Sequence, residues 1–234
     1  MNLKDQAFFE LLDKSNLDRI VFMDINELKN KILPYLEHLI EFSFQNNLNL
    51  HTSIGGKYAE LFVATELWKH EPKLAGERER IKEVKNPKSC DLVLAKTKKK
   101  IEVKWGMLHH SKDDPFVKGS QGTPFWGWNF SSGKQFINNR FDYCILLAAK
   151  KDQACPQHVF VIECKEMNKK EMGGKRRSGV YNEGFYIEFS HDKEFYFRRK
   201  WWPNGFSPLE EKLFKDREKY EKRWSQLKER GILE

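Results

Sequence analysis

The sequence predicts a mixed α/β domain, a central sheet flanked by helices on both faces. Three observations carry that expectation. A run of good helix formers at about 57–69 precedes short apolar or alternating segments at about 79–84, 91–95 and 101–105. A short helix near 133–139 then leads into the apolar run FDYCILLAA at 141–149. No internal repeat and no Pro/Gly/Ser linker separates this series into independent units. The order is helix, strand, strand, strand, helix, strand.

Each element has its own signal. In the first fifty residues Phe8, Leu11 and Leu12 make one apolar stripe. A second helix opens with Asp24 and Glu27 in capping-box spacing and keeps Leu28, Ile32, Leu36, Leu39 and Ile40 at helical intervals. Pro34 should kink that helix or delay its start. Gly55 and Gly56 precede the 57–69 helix, which stops before Pro72; Leu61, Thr65 and Trp68 lie on one stripe, Glu60, Ala64 and Leu67 on another. ERIKEV alternates weakly as a first strand. DLVLA and IEVKW, joined by KTKKK, form a hairpin. Residues 106–130 show no clear periodicity, and HVFVIE at 158–163 is a further strand. A lysine-rich helix or loop at 164–172, a GGKRRSG turn and two aromatic strands, GFYIEF and EFYFRR, follow. The last helix is expected to be capped by Ser207, with Pro208 in its first turn and Leu209, Leu213, Tyr220, Trp224 and Leu227 on one stripe. The organisation is thus a helical region 1–50 packed on a core at 51–200, with a C-terminal helix in 201–234, all one compact domain.

Composition bounds the function. The 234 residues are 39% hydrophobic and 32% charged, ordinary for a globular protein. A net charge of +8 tilts the partner class towards polyanions. Cys90, Cys144, Cys155 and Cys164 form no C-x-x-C pair, which leaves a zinc site without support, and three of them sit in or beside apolar runs as buried thiols would. The N-terminal stretch has no signal-peptide layout, and the longest uncharged apolar run is too short to span a bilayer. A cytoplasmic protein without a membrane partner is expected. No G-x-x-x-x-G-K-[ST] loop is present, so ATP is not an expected partner.

The segment richest in chemistry runs from Asp91 to Lys104. Residues two apart in a strand share a face, so Glu102 and Lys104 point together while Ile101, Val103 and Trp105 enter the core. A hairpin closed at 96–100 brings Asp91 near Glu102. Two carboxylates and an ammonium at one sheet edge suit phosphodiester hydrolysis: hard carboxylates hold Mg²⁺, and a lysine positions water or stabilises charge. Glu60, on the preceding helix, is a candidate for a further metal ligand or supporting contact. The plain alternative is a surface hairpin with solvated charges. Against it, Asp91 starts an apolar strand, and Glu102 and Lys104 interrupt another.

The pattern Ser-Cys-Asp91, ten intervening residues, then Glu102-Val-Lys104 resembles the PD-(D/E)xK nuclease superfamily, over about residues 53–149. Glu60 within GKYAELF matches the helical glutamate that often precedes that motif, and Cys90 stands where the family's proline would be. The resemblance implies a restriction-endonuclease-like sheet, with Asp91 and Glu102 as metal ligands and Glu60 and Lys104 completing the catalytic set. Lys134 and Gln135 sit where some branches carry a further site residue. His109 and His110, near Asp113 and Asp114, lack the later partner an HNH site needs, and GVYNEGFYIEF lacks the supporting positions of a GIY-YIG nuclease.

For holding nucleic acid, the candidates are the Lys175-Arg176-Arg177 turn and, in the long 106–130 stretch, Ser120, Gln121 and Thr123. Trp126 and Trp128 either stack on a base or pack their loop, with packing favoured for at least one. The expectation is a sequence-specific, Mg²⁺-dependent endonuclease for double-stranded DNA, like a type II restriction enzyme and working as a homodimer. A structure-selective repair, resolvase or nicking nuclease, an RNA nuclease, and a non-catalytic DNA-binding module are the alternatives.

Overall fold

A computed structural model describes residues 24–46, 51–74, 90–109, 125–130, 141–150, 153–167, 184–190, 195–201, 205–206, 210–214 and 217–233. They form a mixed, open sheet flanked by helices. No helix among them is long and apolar enough to cross a membrane.

The stripe expected at Phe8, Leu11 and Leu12 lies outside the described residues; the first described helix is α1 (Ile25–Glu27), where the Asp24 carboxylate accepts from the Asn26 N–H as its cap. It continues through a π-turn (Leu28–Ile32) into α2 (Leu33–Gln45). The π-turn answers the proline. Pro34 has no N–H and crowds the carbonyl four residues back, and the preceding turn widens so that Leu33 N–H bonds Leu28 O. Helix α3 (His51–Glu66) then packs along α2. It begins before the two glycines, not after them as expected. Gly55 belongs inside it because the helix lies against an indole: a Cβ at that position would meet Trp105 ring carbons at 2.5–2.8 Å. Ile54, Tyr58 and Leu61 face the core shared with Leu33, Leu36 and Ile40 of α2, while Ala59, Val63, Ala64 and Leu67 face the sheet.

After a 3₁₀ turn at Trp68–His70 comes β1 (Pro72–Leu74), which pairs antiparallel with β2 (Leu92–Leu94). The strand expected at 79–84 lies outside the described residues. Strand β2 pairs antiparallel with β3 (Lys100–His109) through Leu92↔Ile101 and Val93↔Lys100, the hairpin that the alternation indicates. Lys98 takes a left-handed φ of 57° to close it. Strand β3 runs longer than its alternation suggests, and β4 (Phe125–Phe130) pairs with its far end, so 106–130 contains regular structure that its Gly- and Trp-rich composition hides. The helix expected at 133–139 lies outside the described residues.

Strand β5 (Tyr143–Ala149) runs parallel to β3, from Ile101↔Tyr143 to Met107↔Ala149, and is buried throughout. Its other neighbour is the antiparallel β6 (Pro156–Glu163). Alternation divides the core: Cys144, Leu146 and Ala148 join one cluster, Tyr143, Ile145 and Leu147 the other. After the short α4 (Cys164–Met167), strands β7 (Gly184–Ser190), β8 (Phe195–Trp201), β9 (Gly205–Phe206) and β10 (Glu210–Phe214) extend the sheet beyond β4.

The last helix, α5, spans Arg217–Arg230. The expected start at Ser207 is wrong: 210–214 is a strand paired with β8, so Leu213 is not part of the helix. Tyr220, Trp224 and Leu227 do form its buried stripe. Helix α5 lies against β6, tied by Arg223 to Glu163 and Glu166 and by Glu221 to His158. That contact covers a strand whose one sheet partner among the described residues is β5.

Candidate active site

Where β2 and β3 part, the chain builds an acidic centre. Asp91 N–H still bonds Ile101 O at 2.9 Å, but its carboxylate then turns into the ladder and accepts the Val103 N–H at 2.7 Å. A side-chain oxygen does for Val103 what a neighbouring strand's carbonyl would do. Asp91 is thereby fixed beside β3 at the level of Glu102.

Glu102 is 5% exposed, an unusual position for a carboxylate, and in register with Cys144 of β5. Its carboxylate accepts from the Lys104 ammonium, two residues along the same face. Val103 between them lies in the opposite core cluster, as the period of two requires. Glu60 arrives from α3, and Lys57, one turn earlier, places its Nζ 2.6 Å from Glu60 Oε2. Lys57 was not among the residues singled out from the sequence. The available signal was the i,i+3 spacing in GKYAE, which is common on ordinary helix surfaces.

These groups feel one another. Burial pushes the Glu102 carboxyl above the ordinary carboxylate range, the charge of Asp91 pushes it further, and Lys104 offsets only part. Glu60 is raised in the same way, by burial and then by Asp91, against partial compensation from Lys57 and Lys104. Burial alone would lower the Lys104 ammonium, but Glu102 and Asp91 outweigh it and hold the proton on more tightly. Behind them, burial and then the charge of Glu102 push the Cys144 thiol up. A buried, protonated thiol there is inert filling.

The centre has a surplus of negative charge: Glu60, Asp91 and Glu102 against Lys57 and Lys104. Such a surplus suits a divalent cation. Among the described residues no three His, Cys, Asp or Glu side chains are grouped so as to hold a metal ion; Glu102 is turned to Lys104 and Glu60 to Lys57. Mg²⁺ asks for less than a full protein cage, since it keeps several waters and binds through one or two carboxylates. Asp91 and Glu102 are the two carboxylates here that could offer it oxygen ligands.

The other candidates fare differently. Ser120, Gln121, Thr123, Lys134, Gln135, Lys175, Arg176 and Arg177 lie outside the described residues, as do His110, Asp113 and Asp114. Trp126 and Trp128 are both buried, giving their indole N–H groups to Ala149 O at 2.7 Å and Leu147 O at 3.1 Å. Both pack, and neither is exposed to stack on a base. In KTKKK, Lys96 bonds Lys69 O at 2.7 Å and Lys99 pairs with Asp142 at 3.1 Å, so part of that basic run holds the hairpin to its neighbours. Asp142, unmarked by any motif, also accepts the Lys100 N–H at 2.8 Å and locks β3 to the start of β5.

No protein-family model matches the chain, and neither a curated protein nor a solved structure matches it.

Proposed function

We propose that the protein is a Mg²⁺-dependent endonuclease of the PD-(D/E)xK kind that cuts double-stranded DNA at specific sequences, in the manner of a type II restriction enzyme. One observation carries the reading: Asp91, Glu102 and Lys104, spaced as that motif requires, meet where β2 leaves β3, with Glu60 beside them. A helix, three antiparallel strands and a fourth strand parallel to the third are consistent with a restriction-endonuclease-like core.

Asp91 and Glu102 are the residues that would hold the metal, with Glu60 supporting them. When bound, Mg²⁺ lowers the pKa of a coordinated water and neutralises charge building on the phosphate. The chain's own groups do the rest. Lys104, held on β3 two residues from Glu102, keeps a positive charge fixed beside the reacting phosphate and orients the attacking water. The bond between Asp91 and the Val103 N–H keeps the first carboxylate aimed without a rearrangement during the reaction. The net charge of +8 favours the phosphate backbone as partner. Cutting both strands suits a homodimer with two symmetry-related sites.

The experiment is incubation of the purified chain with phage DNA, with and without Mg²⁺, followed by electrophoresis. Discrete metal-dependent bands are expected. A smear would remove the sequence specificity, and DNA left intact at every metal concentration would remove the function.

A further inference from the structure

Strand β3 carries the acidic centre, yet side-chain pattern alone does not fix where it lies along β5. Strand β5 is apolar and buried at every position, and a slip of two residues between the strands would leave each side chain on its own face. Such a slip would set Lys104 where Glu102 now stands opposite Cys144. Just before β5 the chain bends at Asp142 and ties its neighbours together. The Asp142 N–H donates to Lys100 O at 2.8 Å, and its C=O accepts the Cys164 N–H, just past the end of β6, at 2.9 Å. Its carboxylate accepts the Lys100 N–H through Oδ2 at 2.8 Å and the Lys99 ammonium through Oδ1 at 3.1 Å. Asp142 thus takes both backbone polar groups of one β3 residue, two positions before Glu102. On the opposite edge of β3 the Asp91 carboxylate accepts the Val103 N–H.

We propose that Asp142 is a positioning residue of the acidic centre, one that holds β3 in register against β5 and so keeps Glu102 level with Asp91. That this placement serves a reaction rests on the nuclease reading above; the placement itself does not. Lys100 and Val103 turn their N–H groups to opposite edges of β3, each to an aspartate side chain. The stretch between them, which includes Glu102, slides only if one of the two aspartates lets go. The ion pair with Lys99 is part-exposed on both sides and contributes little by itself. The bond to the backbone is the one that matters, because it fixes a point on the strand that no side-chain alternation marks.

The test is hydrogen exchange of the Val103 amide in the full chain, read by NMR, with single-turnover DNA cleavage measured alongside. Exchange rates are corrected for each variant's global stability in urea, since local and global opening both expose an amide. Asp142→Ala should speed Val103 exchange roughly tenfold, as loss of a hydrogen bond to a charged group does when it is felt across the strand. Cleavage should slow by roughly tenfold, as it does when catalytic groups are slightly misplaced. Asp142→Asn keeps an oxygen for the Lys100 N–H and should restore both readings, while Lys99→Met should leave both at wild type. Asp142→Glu keeps the charge but carries it one methylene too far; it should behave as Asp142→Ala does, and it decides the matter should the alanine variant not fold. A purely local role would speed exchange at Lys100 and leave Val103 alone. Wild-type Val103 exchange or wild-type cleavage in Asp142→Ala or Asp142→Glu overturns this inference and leaves the nuclease reading standing. A wild-type chain that never cuts DNA removes the nuclease reading, and exchange at Val103 still decides whether Asp142 holds the register.

Discussion

Gly55 and Gly56 are consecutive residues of α3, and one methyl group added to each should move stability in opposite directions. Alanine in a helix interior is favoured over glycine by about 1 kcal/mol, partly because the unfolded chain loses freedom. At Gly56 a new Cβ meets nothing within 4 Å, so Gly56→Ala should gain most of that amount. At Gly55 the same atom would lie 2.5 Å from Trp105 Cε3, 2.7 Å from Cζ3 and 2.8 Å from Cδ2. Trp105 packs against two core clusters, so the ring cannot withdraw without moving its neighbours. Overpacking of this kind costs about 1–3 kcal/mol. Gly55→Ala should therefore lose about 1 kcal/mol net, and the two variants should differ by about 2 kcal/mol. Urea unfolding followed by circular dichroism measures both. Trp105→Leu in the Gly55→Ala background should recover the helix gain, since the clashing ring is gone. Equal shifts for the two alanines, or a stabilised Gly55→Ala, would refute the argument from close approach. The strain also falls on the strand that carries Glu102 and Lys104, so Gly55→Ala should slow any reaction run there while Gly56→Ala does not.

Further expectations follow from the same geometry. On the proposed reading, Asp91→Asn, Glu102→Gln and Lys104→Met should each slow single-turnover cleavage by roughly 10²–10³-fold while circular dichroism stays native, and a wild-type rate in any of them removes that residue from the site. Because Glu60 and Glu102 hold their protons more tightly folded than unfolded, their contribution to stability without metal falls as pH rises from the ordinary carboxylate range (about 4) through their raised values. Ionised carboxylates bind Mg²⁺ better, so the rise in melting temperature on adding Mg²⁺ should grow with pH across that window; a pH-independent rise would exclude these two groups as the cause. Arg223, with a side chain 10% exposed, faces Glu163 and Glu166 together. Arg223→Leu should cost about 3 kcal/mol by leaving the largely buried carboxylates of Glu163 and Glu166 to the more exposed Lys165 and Lys219, and a loss under about 1 kcal/mol in urea unfolding would show that the cluster is solvated.

The sequence carried the heart of this structure because local rules govern it. Alternation in IEVKW put Glu102 and Lys104 on one face, and the short KTKKK turn forced Asp91 beside them. The fully buried β5 announced itself as an uninterrupted apolar run. What stayed hidden depends on contacts between distant residues. Gly55 looks like a helix boundary until Trp105, fifty positions later, is seen to need its space. Trp126 and Trp128 sit in a glycine-rich stretch that has no period, and only their bonds to Ala149 and Leu147 make β4 intelligible. Strand β10 lies where the capping signal at Ser207 predicts helix, because residues 210–214 pair with β8, an element distant from the cap that no local signal reveals. Lys57 escaped notice since an i,i+3 lysine–glutamate pair is ordinary; the charge of Asp91 acting on its partner Glu60 is what distinguishes it.

Strand β3 is a common beam for two constructions. Its first residues pair with β2 and β5 and carry Glu102 and Lys104; its last pair with β4, which leads on to β7, β8 and β10. At Gly106 the Trp128 indole lies so close over the backbone that a Cβ would sit 2.7 Å from its Nε1, and the N–H is bolted to β5 beyond. That bolt resists slippage of β4 along the beam. The β4–β10 side therefore meets the strands of the acidic centre both along β3, where Gly106 lies two residues from Lys104, and through the two indole bonds to β5.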